Sequence, residues 1–74
     1  MTQHVPYADF HIAQIFGTRA ARTGGVVRRK ITWARREIGH DRLVQEVTQR
    51  GFHMITCGGQ YVIICDRALL EFIC

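Results

Sequence analysis

The chemistry open to this chain is set first by its arginines. Arg19, Arg22, Arg28, Arg29, Lys30, Arg35, Arg36 and Arg42 lie between positions 19 and 42, where Glu37 and Asp41 are the only acids. That stretch has a net charge of +6, against +4 for the whole chain of 74 residues, so the remainder is acidic. Nine of the ten basic residues are Arg, whose planar fork suits bidentate contact with phosphate or carboxylate better than an ammonium does. Trp33 sits inside the tract, and an aromatic ring among arginines can stack on a base. The eight cations are therefore candidate partner-binding residues for a polyanion, either nucleic acid or an acidic protein surface. The plainer reading of the same residues is a solvated face with Trp33 in the core.

Nucleophilic and metal chemistry find less support. His53 and Cys57 share a face if they share a strand, but they stand about 13 Å apart along it. That is too far for a nucleophile and its base. His4, His11 and His40 fall in unrelated contexts. Gly24-Gly25 and Gly58-Gly59 lack the surroundings of a phosphate loop and read as turns. Cys57, Cys65 and Cys74 contain no C-x2-C pair, so no metal ligand set and no cofactor is implied. They read as reduced thiols, or else Cys65 or Cys74 joins two copies by an intermolecular disulfide. The expectation is a binding protein and not an enzyme.

The elements that must position these groups centre on Phe52 to Cys74. Two β-branched runs flank Gly58-Gly59, a pair able to take the positive φ of a two-residue hairpin turn. The implied register sets Cys57 opposite Gln60, then Thr56/Tyr61, Ile55/Val62, Met54/Ile63 and His53/Ile64. Asp66-Arg67 offers a second turn into a third strand, Ala68 to Cys74. Alternation gives an apolar face of Phe52, Met54, Thr56, Tyr61, Ile63, Cys65, Leu70 and Phe72. Ile55, Val62, Ile64, Leu69 and Ile73 on the other face exceed what a few helices can cover, and form a candidate homodimer interface.

Upstream, residues 1–6 are expected to be loose, with Pro6 suited to a first helical turn. Ala8, Ile12, Ile15, Phe16 and Ala20 recur at helical spacing, although Gly17 weakens the helix and alternation at Phe10 and Ile12 leaves a strand open. Val26 to Ile31 reads as an edge strand guarded by its charges. Thr32 is positioned to cap a helical turn over Trp33 to Ile38, closed by Gly39. Asp41 is positioned to cap a helix that ends at Arg50, with Gly51 in a left-handed C-terminal position beside Phe52. The resulting fold class is α+β: an antiparallel sheet built on a C-terminal three-strand meander, with two or three short helices packed on one face.

Seventy-four residues make one small domain with a limited core. At 47% hydrophobic residues it is expected to be globular, and no apolar run approaches a membrane span. The N-terminus lacks the pattern of a signal peptide, so a cytoplasmic chain is expected. Helix, Gly39, helix and a Gly-tipped hairpin also follow the order of a winged helix-turn-helix. The ten residues His40 to Gln49 are short for a turn plus a recognition helix, which weighs against that reading.

The runs GGVVRRK, EVTQRGFH and GGQYVIIC resemble those of short proteins from bacterial and prophage genomes. In size, charge imbalance and poverty of motifs, the chain is similar to the anti-CRISPR proteins of mobile elements, particularly those against type I systems. That resemblance implies a non-enzymatic inhibitor or adaptor that occludes a surface of a nucleic-acid-handling complex. A nucleic-acid-binding accessory protein, meeting phosphates through the same arginines, is the alternative.

Overall fold

The computed structural model describes residues 7–74, and the expectations for residues 1–6, including Pro6, lie outside that range. In chain order the elements are α1 (Ala8–Phe16), α2 (Arg19–Arg22), β1 (Val26–Lys30), α3 (Ile31–Glu37), α4 (His40–Gln49), β2 (His53–Cys57) and β3 (Gln60–Ile64). The three strands form one antiparallel sheet in the order β1-β3-β2. The fold class is α+β, as the sequence implies.

The hairpin follows the expected register: His53 pairs with Ile64, Ile55 with Val62 and Cys57 with Gln60. Gly58 and Gly59 both adopt positive φ, 57° and 75°. A two-residue turn that matches the right-handed twist of its strands needs this geometry, and a Cβ would disfavour it.

The third strand is not the expected one. Residues 68–74 lie outside the sheet, and β1 takes the place beside β3. Val26 pairs with Ile64 and Lys30 with Gln60, and the Cys65 amide extends the pairing by donating to Gly25 O at 2.9 Å. With both edges of β3 occupied, the chain after Cys65 has no strand to join there. Asp66 then turns it, its Oδ1 accepting from the Ala68 amide at 2.8 Å. The Ala68 carbonyl meets Nε2 of His53 at 2.6 Å, so the C-terminal segment runs beside β2 without pairing. Leu70 and Phe72, expected on the core face, instead neighbour Ile55 and Ile64, and Phe72 is 83% exposed.

The helices pack on the sheet face that carries Val27, Tyr61 and Ile63. Ile12, Ile15, Ala34, Ile38, Leu43 and Val47 join these three and Cys65 in one core. Leu43 is fully buried, and truncating such a side chain to Ala costs about 2–5 kcal/mol. The single N-terminal helix expected from the spacing divides at Gly17 and Thr18. The Gly17 amide donates to Ala13 O at 2.8 Å to close α1, and Thr18 Oγ1 accepts from the Ala21 amide at 3.2 Å to open α2.

Two expected caps differ. Helix α3 begins one residue before Thr32, with Lys30 at its N-cap, and α4 begins at His40 with Gly39 at its N-cap. Asp41 falls inside the first turn of α4, where its charge still favours the positive end of the helix dipole. The end of α4 is as expected. Gly51 has φ 73°, its amide donates to Thr48 O, and the Phe52 amide donates to Val47 O. Those two bonds define a Schellman ending.

Candidate nucleic-acid interface

The β1–α3 junction is where the basic residues and the hairpin tip meet. Lys30, the last residue of β1, is registered with Gln60, the first of β3. The next amide, Ile31, donates to the carbonyl of Gly59 in the hairpin turn at 3.0 Å. One residue inward, Arg29 is registered with Tyr61 across β1 and β3, and Thr56 with Tyr61 across β2.

Tyr61 is buried on the helix side of the sheet and its phenol reaches both helices. The oxygen accepts from Nε of Arg35 on α3 at 3.5 Å and lies 2.5 Å from Nδ1 of His40 at the start of α4. The hairpin is thereby fixed to the connection between α3 and α4. That connection is only Ile38 and Gly39, with Gly39 at φ 99°. All ten residues from His40 to Gln49 are helical as a result. The two-residue connection takes none of that length from α4.

The eight basic residues divide into groups. Arg35 reaches the Tyr61 phenol, and Arg29 is registered with Tyr61 on the same sheet face. Lys30 ends β1 beside the hairpin turn with its side chain on the other face, as alternation with Arg29 requires. Arg28 projects from the same face as Lys30 and is exposed, while Nη1 of Arg29 donates to the Arg28 carbonyl at 2.7 Å. Arg36 is exposed on α3 and pairs with Glu37 at 2.8 Å. That contact, followed by His11, holds the Glu37 carboxyl below its usual range. Arg19 and Arg22 lie on α2, which adjoins the Val26 end of β1 and so stands at the far end of that strand from the hairpin turn.

Arg42 belongs to an internal network. It donates to Asp9 at 2.7 Å and to Glu46 at 2.9 Å, and Arg50 reaches the other oxygen of Glu46 at 2.8 Å. Arg50 and Arg42 together hold Glu46 below the usual carboxylate range. Trp33 packs against the core with its ring edge-on to His11 at 5.0 Å, the plainer of its two expected roles.

The outer face of α4 is a feature that motif and charge do not single out. His40, Asp41, Val44, Gln45, Thr48 and Gln49 are all exposed and line one shallow surface. Their signal was present in the spacing, since they are the positions left when Leu43 and Val47 face inward. Between α4 and β2 runs a groove lined by His40, Val44, Met54, Ile55, Thr56 and Tyr61.

The candidate dimer and disulfide residues are dispersed in exposure. Leu69 and Ile73 are 93% and 82% exposed, while Val62 is buried and Ile64 half-buried. Cys65 is also buried and burial raises its thiol pKa, so Cys74, which is exposed, is the accessible member of that pair. Among the described residues, no group of three His, Cys, Asp or Glu side chains could hold a metal ion, and no helix is long and apolar enough to cross a membrane.

No family model matches the chain, and neither the curated proteins nor the solved structures give a match.

Proposed function

We propose that this protein binds double-stranded DNA as a winged helix-turn-helix, with α4 in the major groove and the β2–β3 hairpin as the wing. The observation that carries the reading is the Tyr61 junction. It ties helix, turn, helix and hairpin together in the order β1–α3–α4–β2–β3, with Arg29 registered beside it, Arg35 on its phenol and Lys30 at the adjoining end of β1. Cations flanking an exposed helix meet the phosphates on either side of a groove, while the helix itself meets base edges. A homodimer fits this use, because paired copies read two half-sites of one duplex.

Anisotropy of a labelled random-sequence duplex tests the reading. Log affinity falls linearly with log salt at about −0.9 per phosphate contact. No binding at low salt removes the proposal.

A second reading draws on Leu69, Phe72 and Ile73, each more than 80% exposed. Proteins satisfy such side chains and phosphates do not. In that case the chain is an inhibitor or adaptor that occludes a surface of a nucleic-acid-handling complex, as the anti-CRISPR resemblance implies. Its binding shows a shallower salt dependence, set by fewer charge pairs.

A further inference from the structure

In a chain this rich in arginine, the outer face of α4 offers no free guanidinium. Gln45, Thr48 and Gln49 stand outward, exposed and uncharged, with Val44 exposed at the edge toward β2. At about 100° per residue, Gln45 points most directly away from the buried Leu43 and Val47, with Thr48 and Gln49 on either side of it. Arg42, the only cation within α4, is turned toward α1 and held by Asp9 and Glu46. The exposed cations stand on α2, β1, α3 and the C-terminal segment instead. Exposed cations and exposed uncharged amides thus lie on different elements.

We infer that α4 reads adenine–thymine pairs in the major groove, with Gln45 as the principal base-reading side chain and Gln49 beside it. This rests on the DNA-binding reading given above. A carboxamide offers one donor and one acceptor, which match N7 and N6 of adenine as a bidentate pair. It matches guanine poorly, since O6 and N7 are both acceptors and favour Arg or Lys. Val44, on the side of the helix facing the groove to β2, supplies methyl groups of the kind that contact the C5-methyl of thymine. Asp41, one turn before Gln45, is exposed and acidic. It opposes phosphate at that position and tolerates an exocyclic amine there, which both adenine and cytosine provide.

Selection from a randomised duplex pool, followed by anisotropy on the enriched duplex and a scrambled one, tests the inference. The expected enriched site has an A·T pair at a fixed position. Replacing that adenine with 7-deazaadenine, or changing Gln45→Ala, weakens binding to the enriched duplex about tenfold, or about 1.4 kcal/mol. Affinity for the scrambled duplex and the salt slope stay the same. If the wild type binds duplexes but enriches G·C positions or none, the adenine reading is overturned and DNA binding stands. Equal weakening of both duplexes by Gln45→Ala overturns the adenine reading in the same way. Absence of binding to any duplex at low salt overturns both.

Discussion

The phenol oxygen of Tyr61 lies 2.5 Å from Nδ1 of His40, so a buried ring on the central strand holds the first residue of α4. Arg35 donates to the same oxygen from α3. The hairpin and the two helices consequently keep a fixed relation that their short connections alone would not impose.

Tyr61→Phe removes the hydroxyl and leaves the ring. The loss is expected to be about 1 kcal/mol, the usual net value of such a bond. In a domain of this size it lowers Tm by several degrees. His40→Ala is expected to lower Tm as well, and the two losses to be less than additive in the double variant. Full additivity in thermal melts would mean that the two side chains do not support each other.

At the other end of α4, Gly51 has φ 73°, and a Cβ there would stand 3.4 Å from Cγ of Arg67. Gly51→Ala therefore strains the backbone and is expected to cost about 1 kcal/mol. Circular-dichroism melts check this. An unchanged or higher Tm would contradict the Schellman ending.

This ending was legible from sequence because it is local: a helical pattern, Arg50, Gly51 and an apolar residue within a few positions. The β2–β3 register was legible for the same reason, since two glycines fix it. The partner of β3 was not, because local pattern cannot choose between Val26–Lys30 and residues 68–74 as the third strand. The choice depends on how β1 is delivered by the α2–β1 turn at Gly24-Gly25 and on the Asx turn at Asp66. The arginines were legible as a tract, but its division among β1, α2, α3 and the Asp9–Arg42–Glu46 network needed the tertiary fold. The outer face of α4 was marked only by the inward spacing of Leu43 and Val47. Uncharged Gln and Thr residues give no compositional signal.

Glu46 gives a pH dependence. Its carboxyl is held below its unfolded value chiefly by Arg50 and then Arg42, so the carboxylate stabilises the fold at neutral pH. That contribution is present above the unfolded pKa of about 4.3 and is lost as pH falls through the lower folded value. Glu46→Gln is expected to cost up to about 1 kcal/mol at pH 7, given partial solvent screening. The difference from wild type should shrink toward zero in strong acid. A constant difference between pH 7 and pH 2, followed by urea unfolding, would remove this role.

Self-association is expected through the C-terminal segment, where Leu69, Phe72 and Ile73 are each more than 80% exposed. A standard interface buries about 800 Å² per partner, and large apolar side chains supply much of it. Light scattering at tens of micromolar should give twice the chain mass, and Leu69→Ser with Ile73→Ser should give the single mass. A monomer in both cases contradicts it. Adding reductant reports whether Cys74 contributes a cross-link.

DNA binding as proposed requires the exposed cations of β1 and α3 to meet phosphates. Duplex binding by wild type and by Lys30→Glu/Arg35→Glu, measured by anisotropy across a salt series, checks this without intermediate steps. Circular dichroism establishes that the double variant remains folded. The expected result is a loss of more than tenfold at low salt, at least about 1.4 kcal/mol, with a salt slope reduced by about 0.9 for each phosphate contact removed. A folded double variant that binds the duplex with wild-type affinity and slope would contradict it.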